Sequence, residues 1–286
     1  MYTIDLHTHS TMSDGTFTPR ELAFYAKAKG LSAIAITDHD TTAGVKECVE
    51  AGKLVDLKVI PGIEISCEYS DVEIHILGYF IDIENQTLKD LITKMGDERR
   101  KRNETMLKKL AELGYPLRMK ELNPNNDENM SLTRGTIAGA LIEKGYFKDR
   151  KTIFDEVLGT GKPGYITRNF VNYKEAIQAI KDAGGLAVIA HPYFYKLEVS
   201  TDTFIQDLKA AGISGIETIY PEHTKDVERE YFDLCDKYGL FLTGGTDFHG
   251  DNKPGLEIGK GFGKTLVPKL YLDAMENLLH FSRDER

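Results

Sequence analysis

Cysteine is scarce in this sequence: Cys48, Cys67 and Cys235 are its only three, with no Cys-x-x-Cys pair among them. An odd count without close spacing argues against a disulfide framework or a thiolate zinc site and leaves reduced core residues. Long apolar runs are missing as well. No stretch approaches the roughly 20 residues that a membrane helix needs, and the N-terminus lacks a basic segment followed by an apolar core and a small-residue cleavage site. A cytoplasmic protein without membrane contact is expected. Positive charge is also short, the formal balance being −9. That argues against a general polyanion-binding surface, so any contact with a nucleotide or nucleic acid has to be local. Internal repeats and low-complexity tracts are absent.

What is present is an ordinary globular composition. The 286 residues, 41% hydrophobic and 28% charged, suffice for one large α/β domain or one domain carrying an insertion. Strand-like runs alternate with helical ones. Residues 2–6 read as a strand, followed by a helix after Phe17 in which Thr18 caps, Pro19 takes the first position, Glu21 completes a capping box and Gly30 ends the segment. Further strands are predicted at 32–37, 58–65, 72–80, 186–191, 215–220 and 240–245, with helices at 173–183, 203–211 and 226–238. Seven strands in this alternation favour a βα barrel. Between about 88 and 162 the alternation gives way to helices joined by the polar loop NPNNDEN. This segment reads as a helical insertion covering the mouth of a barrel built from 1–87 and 163–286.

Six of the eight histidines fall at or just after predicted strands: His7, His9, His39, His75, His191 and His249. In a βα barrel the C-terminal strand ends form one mouth, where active sites are built. Carboxylates accompany them: Asp14, Asp38, Asp40, Glu64 and Asp247. Imidazole with carboxylate and no thiolate suits zinc, manganese or iron, and so many donors exceed what one tetrahedral ion uses, so a multinuclear site is expected. His7 and His9, two apart on a strand, face the same side and can grip one ion together. Taken singly, His75 in EIHILGY reads as a packed strand residue and His191 as a strand end before proline. Their recurrence at equivalent positions is what points to ligands.

Arg134, at the start of an insertion helix, and Arg168, just before the barrel resumes, are candidates to bind phosphate oxygens bidentately. The competing reading for each is a solvated surface arginine. The run RRKRN at 99–103 either faces the mouth or, for most of its length, is a solvated helix face. His223, in YPEHT after a strand, is a candidate to contact substrate or protonate the leaving oxygen, against a loop histidine without a role; His280 reads as structural. Asp38 and Asp40 either orient His39 or cap the following helix. GIGKGFGK lacks the Walker spacing and reads as a loop.

HTHSTMSDG, TDHDT, PGIEIS, EIHILGY, IAHPY and GTDFHG, in this order and over almost the whole chain, resemble the motifs of the PHP (polymerase and histidinol phosphatase) superfamily of metal-dependent phosphoesterases. SLTRGTIAGALIEKGY, GKPGYITRNF and AIQAIKDAGG are similar to the branch of nucleoside 3′,5′-bisphosphate phosphatases and 5′–3′ exoribonucleases rather than to histidinol phosphatases. The resemblance implies a distorted seven-stranded (β/α)7 barrel and a site of two or three divalent ions, manganese, iron or zinc. It implies hydrolysis of phosphate monoesters of nucleoside 3′,5′-bisphosphates or at the 5′ ends of short oligonucleotides. It further implies that His7, His9, Glu64 and Asp247 hold one ion, that Glu64 bridges to a second completed by His75 and His191, and that Asp14, His39 and His249 hold a third. Two ions about 3.5 to 4 Å apart would lower the pKa of a bridging water and present hydroxide to phosphorus. One departure stands out: related sequences often carry Arg-Pro-His where this chain has Arg134, Gly135 and Thr136, so the arginine is kept and the histidine lost. A histidinol phosphatase is the alternative activity. A non-catalytic metal-stabilised module is the alternative of another class, disfavoured by the complete ligand set. The expected partner is a small phosphorylated substrate, and no protein partner is evident.

Overall fold

The computed structural model describes residues 3–284, with side chains described as far as residue 279; residue 2 of the first predicted strand and the side chain of His280 lie outside the described residues. The strands are β1 (Thr3–Thr8), β2 (Ala33–Ile36), β3 (Lys58–Tyr69), β4 (Val72–Tyr79), β5 (Val171–Asn172), β6 (Leu186–Ile189), β7 (Gly215–Ile219), β8 (Phe241–Gly244) and β9 (Val267–Pro268). The helices are α1 (Pro19–Ala28), α2 (Val45–Leu54), α3 (Gln86–Glu112), α4 (Met119–Leu122), α5 (Arg134–Glu143), α6 (Arg150–Ile153), α7 (Tyr173–Asp182), α8 (Thr201–Ala211), α9 (Lys225–Tyr238) and α10 (Lys269–Asp284). Among the described residues no helix is long and apolar enough to cross a membrane.

Hydrogen bonding follows the order β8-β7-β6-β4-β3-β2-β1-β9, with β5 added beside β3. The segment after β8 then returns to β1: the His9 N–H donates to the Phe248 carbonyl at 2.9 Å and the Phe248 N–H to the His7 carbonyl at 3.2 Å. The sheet is therefore a nearly closed barrel of mixed strands with helices around it. Both faces are buried, as strands flanked by helices require. On β2, Ala33 and Ala35 pack in one apolar cluster with Ile4, Leu6, Leu77 and Val188, while Ile34 and Ile36 pack in another with Leu22, Val45 and Cys48.

Strict βα alternation is not kept. Ser70 and Asp71, at φ of 48° and 64°, form the two-residue turn with paired positive φ that tight hairpins use. No helix intervenes there, so β4 runs antiparallel to both β3 and β6. The short strands β5 and β9 were not anticipated, each contributing only two residues.

The long helix α3, capped by the Asn85 side chain, joins two separate cores. Its first half buries Leu88, Leu91 and Met95 against the core of the barrel. Its second half buries Met106 and Leu110 with Leu117, Leu122, Ile137, Leu141, Ile153 and Leu158, a cluster made wholly within the helical layer. Between the two halves lie Arg99, Arg102 and Asn103, each buried.

Candidate metal centre

β1, buried on both faces, delivers His7 and, one residue past its end, His9, and the turns after β2, β6 and β8 deliver His39, His191, Asp247 and His249 to the same end. Glu64 and His75 arrive differently from the expectation of strand ends. They lie within β3 and β4, and His75 reaches the site because β4 runs in the opposite direction. His191 and Asp247 hold positive φ, 27° and 53°, a strained backbone of the kind that persists where the surroundings over-determine it.

The nine predicted ligands converge. Glu64 sits at their centre and uses both oxygens: Oε1 lies 2.9 Å from His75 Nδ1 and 3.0 Å from His191 Nε2, and Oε2 lies 2.9 Å from His39 Nδ1, 3.3 Å from His9 Nε2 and 3.4 Å from His7 Nε2. Asp247 Oδ1 is 3.1 Å from His9 Nε2, and Asp14 Oδ1 is 3.2 Å from His249 Nε2. Four groups have donor atoms within 4.8 Å of one another: His7, His9 and Glu64; His7, His191 and Asp247; His39, Glu64 and His75; and His9, Asp14, His39 and His249.

The electrostatics of this cluster demand cations. His7 Nε2, both ring nitrogens of His9, Asp14 Oδ1, His39 Nδ1 and Glu64 Oε2 are buried without a hydrogen-bond partner, and each such atom is costly to leave unmet. Burial alone would depress His9, yet the Asp247 and Glu64 carboxylates facing it outweigh burial and lift the ring to about 9. His75 is likewise lifted against burial by Glu64 and Glu73, to about 10. Conversely, burial would raise Asp247 and Glu64, but Lys253 with the facing imidazoles holds Asp247, and the facing imidazoles alone hold Glu64, well below the ordinary carboxylate range. Divalent ions displace protons from such rings on binding. An imidazole and carboxylate set without thiolate is the donor chemistry of such ions.

With that geometry in hand, the pattern of the PHP domain matches residues 5–189. The chain belongs to the PHP domain family. It is 32% identical over 260 residues to a 3′,5′-nucleoside bisphosphate phosphatase of Chromobacterium violaceum, covering 91% of each chain. It is 33% identical over 246 residues to a 5′-3′ exoribonuclease of Haemophilus influenzae, covering 86% of this chain and 89% of that one. A solved structure from Bifidobacterium adolescentis, assigned as a metal-dependent phosphoesterase, superposes with a TM-score of 0.87 at 28% identity over 96% of this chain and 95% of that one.

Around the PHP cluster the structure adds residues that sequence reasoning missed. Glu217, on β7 and fully buried, accepts from His7 Nδ1 at 2.9 Å and from the His191 backbone N–H at 2.7 Å. Its signal was a lone acid at an inward position of the apolar run GIETIY. The Tyr220 hydroxyl donates to Asp247 Oδ2 at 2.9 Å, and Lys253 pairs with the same oxygen. Both roles considered for Asp38 and Asp40 are replaced. Asp38 accepts from the Ser10 N–H at 2.8 Å and from the Ser10 and Ser13 hydroxyls at 2.6 Å each, so it ties down the HTHSTMSDG loop. Asp40 accepts from the Ser66 N–H at 2.7 Å and from Arg168 at 2.8 Å, and it also pairs with Arg99. Helix α2 has Gly44 as its N-cap, without a side-chain bond.

Two cavities meet at the PHP cluster. The smaller, about 550 Å³, is walled by Arg99, Arg102, Arg134, Arg150 and Arg168 with Asp14, His39 and His249. The larger, about 850 Å³, holds Tyr165, Phe170, Phe194 and Tyr220 beside Glu64, His191 and Asp247. Arg134 and Arg168 line both. Arg134 also pairs with Glu73 at 2.7 Å. The expected solvated face at 99–103 holds only for Arg100 and Lys101, whose side chains are 62% and 72% exposed. Arg102 is buried with Nη2 unpartnered. Burial first, and then the charges of Arg99, Arg168 and Arg134, press its guanidinium below its usual range. A guanidinium keeps its proton regardless, so the cluster calls for an anion. His223, expected at the substrate, lines neither cavity. It packs against Tyr193, Tyr220 and Tyr231, and its Nδ1 bonds the Thr218 carbonyl at 3.0 Å.

Proposed function

We propose that the protein is a metal-dependent phosphoesterase that hydrolyses phosphate esters of nucleotides, with nucleoside 3′,5′-bisphosphates and short oligonucleotides as its substrates. The observation that carries this is the junction of two demands in one place: unpartnered imidazole and carboxylate atoms that call for divalent cations, beside buried guanidiniums that call for phosphate. Relatives at about one-third identity act on such substrates by their names.

In this reading His7, His9, Glu64 and Asp247 hold one ion; Glu64 with His75 and His191 a second; and Asp14, His39 and His249 a third, of manganese, iron or zinc. When bound, such ions supply an activated water and neutralise charge on the phosphoryl oxygens. The chain's own residues do the rest. Glu217 fixes the ring of His7, so that Nε2 points inward. Arg99, Arg102, Arg134 and Arg168 bind phosphate oxygens, and Asp40 fixes two of these guanidiniums in a fork. Helices α3 and α5 close over the mouth and limit water around the developing charge. We read β1–β4 and β6–β8, the seven strands of four or more residues, as the distorted seven-stranded barrel built from 1–87 and 163–286. Residues 88–162 are then the insertion covering its mouth.

A phosphate-release screen on metal-loaded protein, with elemental analysis alongside, tests this. Nucleoside 3′,5′-bisphosphates and 5′-phosphorylated oligonucleotides should be turned over faster than histidinol phosphate. Preference for histidinol phosphate would overturn the substrate class, and metal occupancy without turnover of any ester would leave a non-catalytic module.

A further inference from the structure

Metal ligands and arginines account for phosphate, but not for the aromatic wall of the larger cavity. Within that wall Phe194 is 42% exposed, three residues after His191 in a short turn opened by Pro192. The Phe194 ring centroid lies 6.2 Å from that of His191 and 5.6 Å from that of Tyr220, both edge-on. It is thus one side chain removed from the metal centre. In the same cavity Arg168 lies over the face of Phe170 at 4.7 Å and Arg134 over Tyr165 at 5.4 Å. Exposed aromatic carbon of this size marks a binding surface when it sits inside a cleft. Here the cleft continues into guanidiniums suited to phosphate. An occupant therefore needs a flat, aromatic, uncharged body joined by a short polar linker to phosphate, which is the build of a nucleotide.

We propose that Phe194 is the stacking platform for the base of the nucleotide whose phosphate lies at the metal centre. This rests on the preceding assignment of substrate and adds where the base binds and how it is chosen. A ring face stacks on any base and reads no base edge, so the enzyme accepts all four nucleobases while discriminating against sugar phosphates that carry none.

The chain contains no tryptophan, so Phe194→Trp installs its single tryptophan at the platform, read selectively by excitation at the red edge of its absorption. Metal-loaded Phe194→Trp, mixed rapidly with adenosine 3′,5′-bisphosphate and read before turnover, should be quenched, and the base-free ribose bisphosphate should leave its emission unchanged. Phe194→Ala should lower kcat/KM for the nucleotide about tenfold more than for the base-free ester, the scale of one lost base stack, and Phe194→Tyr should restore it. Emission indifferent to the base, equal losses on both esters, or no loss on either would overturn the proposal, as would a Phe194→Ala defect traced to a changed oligomeric state. Base-dependent quenching without phosphate release from any ester would keep the platform and refute the hydrolytic assignment. Phosphate release without base dependence would do the reverse.

Discussion

At the scale of single residues, the site is decided by what stands behind the groups that would touch ligand. Glu217 holds His7 through Nδ1 and His191 through its backbone N–H. Such outer partners commonly account for 10- to 100-fold in metal affinity. Glu217→Gln should therefore weaken metal binding by roughly that factor in a chelator competition, with the circular dichroism spectrum unchanged. Arg102 and Arg134 make a second comparison. Arg134 already has Glu73 as a partner, whereas Arg102 Nη2 has none, so Arg102 has more to gain from phosphate. Losing a charge-assisted contact should remove about 1.5 to 3 kcal/mol. Arg102→Met should thus lower kcat/KM on a nucleoside bisphosphate by roughly ten- to a hundredfold, and Arg134→Met by less. Because like charges surround Arg102 in the free protein, Arg102→Met should hold or raise the melting temperature while slowing the enzyme. A lowered melting temperature would show Arg102 to be structural.

At the scale of elements, two glycines fix how segments meet. A Cβ on Gly135, in the first turn of α5, would stand 2.5 Å from Asp14 Oδ2. Gly135→Ala should displace Asp14 and lower the metal content by one ion per chain in elemental analysis. A Cβ on Gly245 would stand 2.4 Å from His7 Cβ and 2.5 Å from the His7 backbone nitrogen, where the segment after β8 returns to β1. Overpacking of this kind commonly destabilises by about 1–3 kcal/mol, so Gly245→Ala should unfold at correspondingly lower urea concentration. Element signals in the sequence differed in what they carried. The His-x-His of β1 was legible because two donors at strand spacing share one face. The direction of β4 was not, since period two is the same read either way and only the Ser70–Asp71 turn sets it. Glu217 escaped notice because one acid in an apolar strand resembles an ordinary interruption. For Arg99 and Arg102 the sequence left two readings, mouth or solvated face, because a charged helix face reads as solvated until something docks on it.

At the scale of the whole molecule, the ligands come from nearly every strand around the barrel, so metal should bind the folded state and not the unfolded one. At a hundredfold excess over the dissociation constant this linkage is worth about 2.7 kcal/mol. Chelation should lower the melting temperature by roughly 5–10 °C, reversibly on restoring manganese. The two cores joined by α3 carry a further consequence. The proposed metal ligands other than Asp14 and His249 stand on strands or strand ends of the barrel, while Arg99, Arg102 and Arg134 stand on helices of the overlying layer, and each part has its own apolar cluster. Under the proposed function, a substrate phosphorylated at both ends would bridge the two parts, and its product, with one phosphate gone, would not. Hydrolysis would then break that bridge, so the chemical step itself would prepare release. Amide exchange in the second half of α3 should slow with the bisphosphate bound and recover with the monophosphate, making turnover a cycle of latching and unlatching driven by the bond that is broken.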